Sequence, residues 1–409
     1  MKKRTKEIIK KVIPANTIRN SKNLVDTIVI RQLLHKQKQP FKKNDFLKGI
    51  NLVGMFSEDS GLGQSTRLLA KEIERTNIKL NCIDYYKPEY TNRTNHDFDN
   101  KLNANYLYGI NIIHVNMDDF YLYYKNNMQN MKNHYNIAFW LWEVPEFPEK
   151  WIPLISQLDE IWTPAEFVSE AIRKVTDKPV ITVPYYVEAI GNMKYSREYF
   201  GLPEDKFLFL MLYDFNSISE RKNPEGAIQA FKNAFSPLDK VALVIKISNC
   251  SKKKKEEIQT LLEGYDYYFI DKLLTKEEVN SLIENADVFV SLHRAEGFGL
   301  VLAESMLLKT ATIASNYSAN TEFQNKSNSC LVDCTLTCVG KDIYPYKKEY
   351  TWGEPDLKEA SIYMKRLVDD RGFYLSIINK AYENMTSTQK KEMPVRIIQN
   401  RIGEIYDEF

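Results

Sequence analysis

Short apolar runs alternate with helical patterns along most of this chain, and that alternation restricts its fold more than any other feature. Strands are predicted at 49–55, 79–85, 109–116, 135–142 and 180–187, and then at 207–215, 241–248, 267–271, 287–292 and 311–314. Helices are predicted at 64–75, 151–175, 224–234, 252–262, 276–286, 300–308 and across 363–409. Apolar strands joined by helical crossovers form parallel sheets that are covered on both faces.

The alternation occurs in two series, which predicts two domains. A length of 409 residues exceeds what one hydrophobic core usually serves. A polar stretch at 188–205 separates the two series and is interpreted as a linker. We therefore predict an α/β fold of two doubly wound, Rossmann-like domains that face a cleft. The predicted limits are an N-terminal extension at 1–47, domains at 48–190 and 191–385, and a final helix at 386–409 that can pack back on the first domain.

The charge of the chain is unevenly distributed. The net charge of +2 does not indicate a nucleic-acid partner, but residues 1–45 alone carry a charge of +10. Apolar residues at positions 8, 9, 12 and 13 form a stripe between the lysines of this basic segment. Such a helix can lie on an anionic membrane surface, and a solvated tail is the alternative.

The cysteines and the apolar runs indicate the compartment. Five cysteines are an odd number and favour free thiols in a reducing cytoplasm. Lys10 and Lys11 interrupt the apolar stretch that a secretory signal needs. The longest apolar run, at 207–213, is far shorter than the roughly 20 residues of a membrane span. We expect a cytoplasmic protein, either soluble or peripheral on the inner face of the cell membrane.

Two loops that follow strands carry candidate binding groups. In doubly wound sheets, ligands bind beyond the carboxyl ends of the strands. Gly61, Leu62 and Gly63 follow the first strand and open a helix, so their backbone amides could contact an anion, with a plain tight turn as the alternative. Arg221 and Lys222 precede a helix that begins at a proline. A guanidinium beside an ammonium suits a diphosphate, and a solvated surface pair is the alternative.

A third loop, between the strand at 287–292 and the helix at 300–308, combines carboxylates with glycines. Gly297 and Gly299 expose backbone amides at the positive end of the helix. Glu296 lies just before the helix and Glu304 lies inside it. The eight-residue spacing alone means little in a chain rich in glutamate, but its position around a helix start indicates a binding site.

These three loops resemble motifs of one enzyme family. The segment EGFGLVLAES at 296–305 resembles the E-x7-E signature of retaining glycosyltransferases of family 4, which have the GT-B fold. RKNP at 221–224 is similar to the family's Arg-Lys pair, and GLG at 61–63 to its glycine loop. The segments 316–323 and 352–356 are similar to segments of a bacterial subgroup. The similarity covers about 48–375 and is stronger in the second half.

The resemblance implies an enzyme that transfers a hexose or N-acetylhexosamine from a nucleotide diphosphate sugar, with retention of configuration and with no metal or other cofactor. The implied acceptor is a surface polysaccharide, glycolipid or other glycan. Arg221 and Lys222 would neutralise the leaving diphosphate, while Glu296 would bind the sugar and Glu304 the ribose. The backbone around the helix start would bind phosphate or sugar, through Gly297, Phe298, Gly299 and Leu300. A protein (adhesin) glycosyltransferase and a non-catalytic nucleotide-sugar-binding partner of another transferase remain as alternatives.

The chain departs from the family pattern at two places. Residues 214–216 replace an arginine that many relatives carry, and the segment WLWEVPE at 140–146 replaces a histidine. The acceptor-side candidates are therefore His114, Trp140, Trp142 and Glu143. Tryptophan faces suit a sugar, but core packing explains Trp140 and Trp142 equally well. His114 could serve a site or simply end its strand.

Other interpretations of these residues have less support. Asp97 and Asp99 match the D-x-D of metal-dependent transferases with the GT-A fold, but they lie in a polar stretch. The glycine loop followed by Asp84 is compatible with an NAD enzyme, but the third glycine of that fingerprint is missing. Three cysteines spaced four apart would share a helix face, but no further ligand completes a metal set. We predict no metal site.

Overall fold

The computed structural model describes residues 30, 38–86, 93–215 and 217–408. The first sheet has six parallel strands in the order β2-β1-β3-β4-β5-β6. They are β1 (Leu47–Gly54), β2 (Leu80–Asp84), β3 (Tyr108–Ile113), β4 (Tyr135–Phe139), β5 (Glu160–Thr163) and β6 (Val180–Thr182). Of the predicted basic extension at 1–47, residues 1–29 and 31–37 lie outside the described residues.

The second sheet also has six parallel strands, in the order β12-β11-β10-β7-β8-β9. They are β7 (Phe207–Asp214), β8 (Val241–Ser248), β9 (Tyr267–Ile270), β10 (Val288–Ser291), β11 (Ala311–Ser315) and β12 (Cys330–Val332). A small antiparallel pair follows, β13 (Cys334–Cys338) and β14 (Thr351–Pro355).

Helices cover the faces of both sheets. They are α1 (Gly61–Glu74), α2 (Met117–Met131), α3 (Glu166–Arg173), α4 (Arg197–Phe200), α5 (Ser219–Lys222), α6 (Pro224–Ala234), α7 (Lys252–Leu261), α8 (Lys276–Glu284), α9 (Leu300–Leu307), α10 (Leu357–Asp369), α11 (Arg371–Met385) and α12 (Thr388–Glu408). Short 3-10 segments occur at Lys43–Asp45, Asp99–Lys101, Glu149–Gln157 and Ala319–Glu322. In the described part of the chain, no helix is both long and apolar enough to cross a bilayer.

The predicted fold class is confirmed, but two local predictions are wrong, and several elements, among them α2 and β12–β14, were not predicted. The region 151–175 is not one helix, because Pro153 limits it to a 3-10 segment and Glu160–Thr163 pairs with β4 as a strand. The helix α2 was not predicted, since its aromatic-rich sequence lacks a clear polar face. Cys334 and Cys338 lie on strand β13 rather than on a helix, so their four-residue spacing does not place them on one face of a helix.

Four buried asparagines cross the first sheet in register and form a hydrogen-bonded ladder. Asn81, Asn51, Asn111 and Asn136 are paired across strands β2, β1, β3 and β4. The Asn81 amide donates to Asn51 at 3.2 Å, and the Asn51 amide donates to Asn111 at 2.9 Å. The Asn111 amide donates to Asn136 at 2.9 Å. A one-residue slip would break every bond of the ladder, so it fixes the register of the strands that lead into the cleft loops.

The last helix returns to the first domain. In α12, Arg401 pairs with the fully buried Glu160 at 2.8 Å. The Tyr406 hydroxyl accepts from the Gly49 amide at 2.9 Å. The chain therefore crosses between the two sheets twice, once before β7 and once before α12. The predicted domain limits remain a prediction.

Candidate active site

A cleft lies where the carboxyl ends of the two sheets face each other. It contains a cavity of about 220 Å³. The first domain contributes Gly61, Leu141 and Glu143 to its lining, and the second contributes Lys222 together with residues 296–302. The structure thus brings together residues from all three predicted loops.

The glycine loop presents the N-terminus of α1 to this cleft. The Ser60 hydroxyl accepts from the Gly63 amide at 3.1 Å and caps the helix. A Cβ at Gly63 would lie 2.1 Å from the Glu58 carbonyl oxygen, so only glycine fits there. The amides of Gly61 and Leu62 have no acceptor among the described residues. They are available to an anion at the positive end of the helix.

The loop between β10 and α9 presents a second helix N-terminus. Gly299 has a φ of +94°, a left-handed conformation that glycine adopts readily, and α9 begins at the next residue. A Cβ at Gly297 would lie 3.0 Å from the Trp142 carbonyl oxygen, so the absence of a side chain allows the two domains to approach closely. Within the described chain, the amides of Gly297, Phe298, Gly299 and Leu300 have no acceptor.

Glu296 sits in a cationic setting beside these amides. It is 9% exposed, and its Oε1 atom accepts from Lys222 Nζ and lies 3.3 Å from Arg221 Nη1. Burial alone would raise the pKa of Glu296, but Lys222 and Arg221 lower it to about 2. The carboxylate therefore remains ionised at neutral pH and acts as an acceptor of hydrogen bonds.

Arg221 and Lys222 occupy different environments. Lys222 lines the cavity, whereas Arg221 is not among its lining residues. Arg221 is 8% exposed and donates to the Ala295 carbonyl at 2.8 Å. Burial alone would lower the pKa of Arg221, but Tyr346, Glu143 and Glu296 raise it above its usual range. The two residues of the predicted pair thus differ: the Lys222 side chain faces the cleft, and the Arg221 side chain is buried against the protein interior.

Glu304 lies on α9 and faces an adjoining cavity. It is 2% exposed, and Lys276 Nζ lies 2.5 Å from its Oε1 atom. This second cavity also has a volume of about 220 Å³, and Gly61 and Leu300 are among the residues that line it. Because both cavities include these two residues, a ligand could extend from Glu296 to Glu304. The contribution of Lys276 could not be inferred from the sequence, since nothing in the segment around it resembles a motif.

The acceptor-side candidates separate into one cleft residue and three buried ones. Glu143 lines the cavity. Trp140 and Trp142 are at most 2% exposed. Their indole N–H groups donate to the carbonyls of Val115 and Glu146, at 3.1 and 2.9 Å. Packing explains both tryptophans in this structure, and their proposed contact with an acceptor remains a prediction.

His114 is a strand-end histidine buried in the first domain. Its Nε2 atom lies 2.6 Å from Ser65 Oγ, and its ring stacks on Phe139 with the centroids 4.9 Å apart. Burial lowers the pKa of His114 to about 4, so the ring is neutral at physiological pH. A role on the acceptor side stays a prediction.

His293 supports the loop that carries Glu296. The Asn320 amide nitrogen donates to Ser315 O at 2.9 Å and to Gln324 Oε1 at 3.0 Å, so its oxygen is the acceptor for His293 Nε2 at 3.0 Å. Burial lowers the pKa of His293 to about 4. The neutral imidazole therefore holds the segment after β11 against the site.

The residues of the rival interpretations lie elsewhere. Asp99 pairs with the exposed His96, and Asp97 accepts from Asn95, outside the cleft lining. Asp84 accepts from Ser57 and pairs with Arg93. Over the described ranges, no group of three or more His, Cys, Asp and Glu side chains could hold a metal ion.

Comparisons with known proteins agree with this architecture. Residues 193–334 match the family described as Glycosyl transferases group 1. No curated protein sequence matches the chain significantly. Anabaena HepE in complex with UDP and glucose is similar at a TM-score of 0.63 and 10% identity, over 89% of this chain and 100% of that chain.

Two further solved structures are similar. Sucrose-phosphate synthase from Thermosynechococcus elongatus has a TM-score of 0.62 at 13% identity, over 89% of this chain and 100% of that chain. The pneumococcal O-GlcNAc transferase GtfA in complex with UDP and GlcNAc has a TM-score of 0.51 at 13% identity, over 72% of this chain and 56% of that chain. The GT-B fold is thereby confirmed. The matched group 1 glycosyl transferase domain contains Lys222, Glu296 and Glu304, and it identifies the activity as glycosyl transfer.

Proposed function

We propose that this glycosyltransferase moves a hexose or N-acetylhexosamine from a nucleotide diphosphate sugar to a growing surface polysaccharide or glycolipid, with retention of configuration and without a metal. The reaction would take place in the cytoplasm, at the inner face of the membrane when the acceptor is linked to a lipid. Complexes of similar structures with UDP and a sugar make UDP-sugars the first donors to test.

One observation carries the proposal: positive groups from both domains converge on a single cavity. Gly61 opens α1 on one side, and Leu300 opens α9 on the other. Lys222 adds an ammonium at the same cavity, where it is paired with Glu296. A diphosphate bound there would meet two helix N-termini and an ammonium.

This arrangement suits departure of a nucleotide diphosphate. Breaking the glycosyl–phosphate bond develops negative charge on the diphosphate and positive charge on the sugar carbon. Preorganised donors aimed at a developing anion can contribute about 3–4 kcal/mol each. Lys222 and the amides at the start of α9 would supply that stabilisation, so the leaving group would not need a divalent cation.

Glu296 would act on the sugar. Its low pKa keeps it ionised, so it would accept hydrogen bonds from the sugar hydroxyls and would not act as a proton donor. Its negative charge would also favour the positive charge that develops on the ring. Glu304, one cavity further, would accept from the ribose.

Donor turnover tests the proposal. UDP-, GDP- and other nucleotide sugars would be screened for hydrolysis and for thermal stabilisation of the protein. We expect Lys222→Ala and Glu296→Ala to abolish turnover of the accepted donor while the protein stays folded. Lys252→Ala is the matched control, because that lysine is 92% exposed and lies outside the cleft. Full turnover in both cleft variants would contradict the site, and NMR of the anomeric proton of the product would test retention.

A further inference from the structure

A segment of the second domain extends across the cleft and contacts the first domain. We call residues 339–350, between β13 and β14, the arm. It is closed at its base, where the Val339 amide donates to the Tyr350 carbonyl at 2.8 Å. The Tyr346 ring packs on Trp142 with their centroids 5.4 Å apart. The arm therefore touches the loop that carries Glu143.

A continuous series of side-chain contacts connects the arm to Glu296, the candidate sugar-binding carboxylate. The Tyr346 hydroxyl, on a side chain only 3% exposed, donates to Glu143 Oε2 at 2.9 Å. Glu143 Oε1 lies 3.7 Å from Arg221 Nη2. Arg221 Nη1 lies 3.3 Å from Glu296 Oε1. Four side chains thus connect the arm to the cavity, and they come from both domains.

We propose that Tyr346 is a positioning residue for sugar transfer: it holds Glu143 towards Arg221, and Arg221 in turn orients Glu296. On this account the two neighbouring cations contact the same carboxylate from different sides. Lys222 bonds Glu296 from the cavity, where it would also meet the diphosphate, and Arg221 supports Glu296 from behind. The inference rests on the proposed function, because it takes Glu296 as the group that contacts the sugar.

The geometry explains why the hydroxyl matters. At 3.7 Å the Glu143–Arg221 contact is too long for a hydrogen bond, so it does not fix the direction of the carboxylate by itself. Glu143 has a side chain that is 23% exposed, and without Tyr346 it is free to turn towards water. Arg221 would then lose a counter-charge in a buried position. The aromatic packing of the arm, by contrast, needs only the ring.

The test is Tyr346→Phe, with Tyr350→Phe as the control in the same arm. Tyr346→Phe keeps the ring against Trp142, so a purely structural role would leave catalysis unchanged. We expect kcat to fall at least tenfold while KM for the donor stays within threefold, because Lys222 and the helix amides still bind the diphosphate. Tyr350→Phe should keep the wild-type kcat.

A double variant shows whether Tyr346 acts through Glu143. In a Glu143→Gln background the charge that faces Arg221 is already gone, so adding Tyr346→Phe should change kcat by less than twofold. A further tenfold loss would overturn the proposed route, and a wild-type kcat in Tyr346→Phe alone would overturn the proposal.

A readout without donor separates this proposal from the proposed function. In protein labelled with ¹⁵N-arginine, we expect wild type and Tyr350→Phe to show a protected guanidinium signal of Arg221, assigned by its absence in Arg221→Lys. Tyr346→Phe should weaken the protection of the Nη2 protons, which face Glu143, while Nη1 keeps its bond to the Ala295 carbonyl. An unchanged Nη2 signal would overturn the proposal. If wild type turned over no nucleotide sugar, the proposed function would fail, but this signal would still decide whether Tyr346 positions Arg221.

Discussion

Replacing Asn111 by alanine tests whether the asparagine ladder organises the first sheet. Asn111 accepts from Asn51 and donates to Asn136 and to the Asn130 carbonyl, at 2.9, 2.9 and 3.0 Å. Its loss leaves Asn136 Oδ1 without a donor and Asn51 Nδ2 with only its bond to the Tyr108 carbonyl. Each lost partner costs about 1–3 kcal/mol. We expect the free energy of unfolding of the first domain to fall by about 3–5 kcal/mol, since such costs are only partly additive.

Asn81→Ala provides the internal comparison, because Asn81 lies at the end of the ladder. When its amide is removed, Asn51 Oδ1 still accepts from the amides of Leu107 and Tyr108. The expected cost is therefore about 1–2 kcal/mol. Urea unfolding, followed by tryptophan fluorescence of the first domain, measures both variants. Equal costs for the two variants, or a cost below 1 kcal/mol for Asn111→Ala, would refute the reasoning.

Three further predictions concern the cleft and the returning helix. Gly297→Ala places a methyl group 3.0 Å from the Trp142 carbonyl, and we expect kcat/KM for the donor to fall at least tenfold in steady-state assays. Lys222 and Arg221 lower the pKa of Glu296 to about 2, against the effect of burial. The ionised carboxylate therefore stabilises the folded state above about pH 4.5. That contribution, at most about 3 kcal/mol, is lost as the pH falls towards 2, so urea unfolding of Glu296→Gln should show a flatter pH dependence there. Arg401→Ala leaves the fully buried Glu160 without its cation and should cost about 3–5 kcal/mol in thermal or urea unfolding; a loss below 1 kcal/mol would contradict this assignment.

The clearest local signals of the sequence lie in the second domain, although its strands β12, β13 and β14 were not predicted. Its strands are nearly continuous apolar runs, such as Val241–Ser248, and its helices carry clear start signals, such as Pro224 and the Thr275 capping box. These local signals are strong because the secondary structure of each element depends mainly on its own residues. In the first domain, β5 has only four residues and follows a 3-10 segment. Its pairing with β4 and β6 depends on contacts distant in sequence, which no local pattern reveals.

The candidate site was predictable where it follows strand ends and not where it depends on long-range contacts. The three loops around Gly61, Lys222 and Glu296 meet at one cavity, as expected for parallel sheets. Tyr346 contacts Glu143 across 203 positions of sequence, and Arg221 turns towards that contact instead of the cavity. An Arg-Lys motif does not show this division, because the direction of each side chain is set by partners that the motif does not contain.

The most direct test of the central claim is a crystal structure of the protein soaked with the nucleotide diphosphate of its accepted donor. The account predicts phosphate oxygens within 3.2 Å of Lys222 Nζ and of the amides at Gly299 and Leu300, with the ribose directed towards Glu304. A nucleotide bound outside this cleft, or in it with its phosphates remote from Lys222 and the start of α9, would contradict the account.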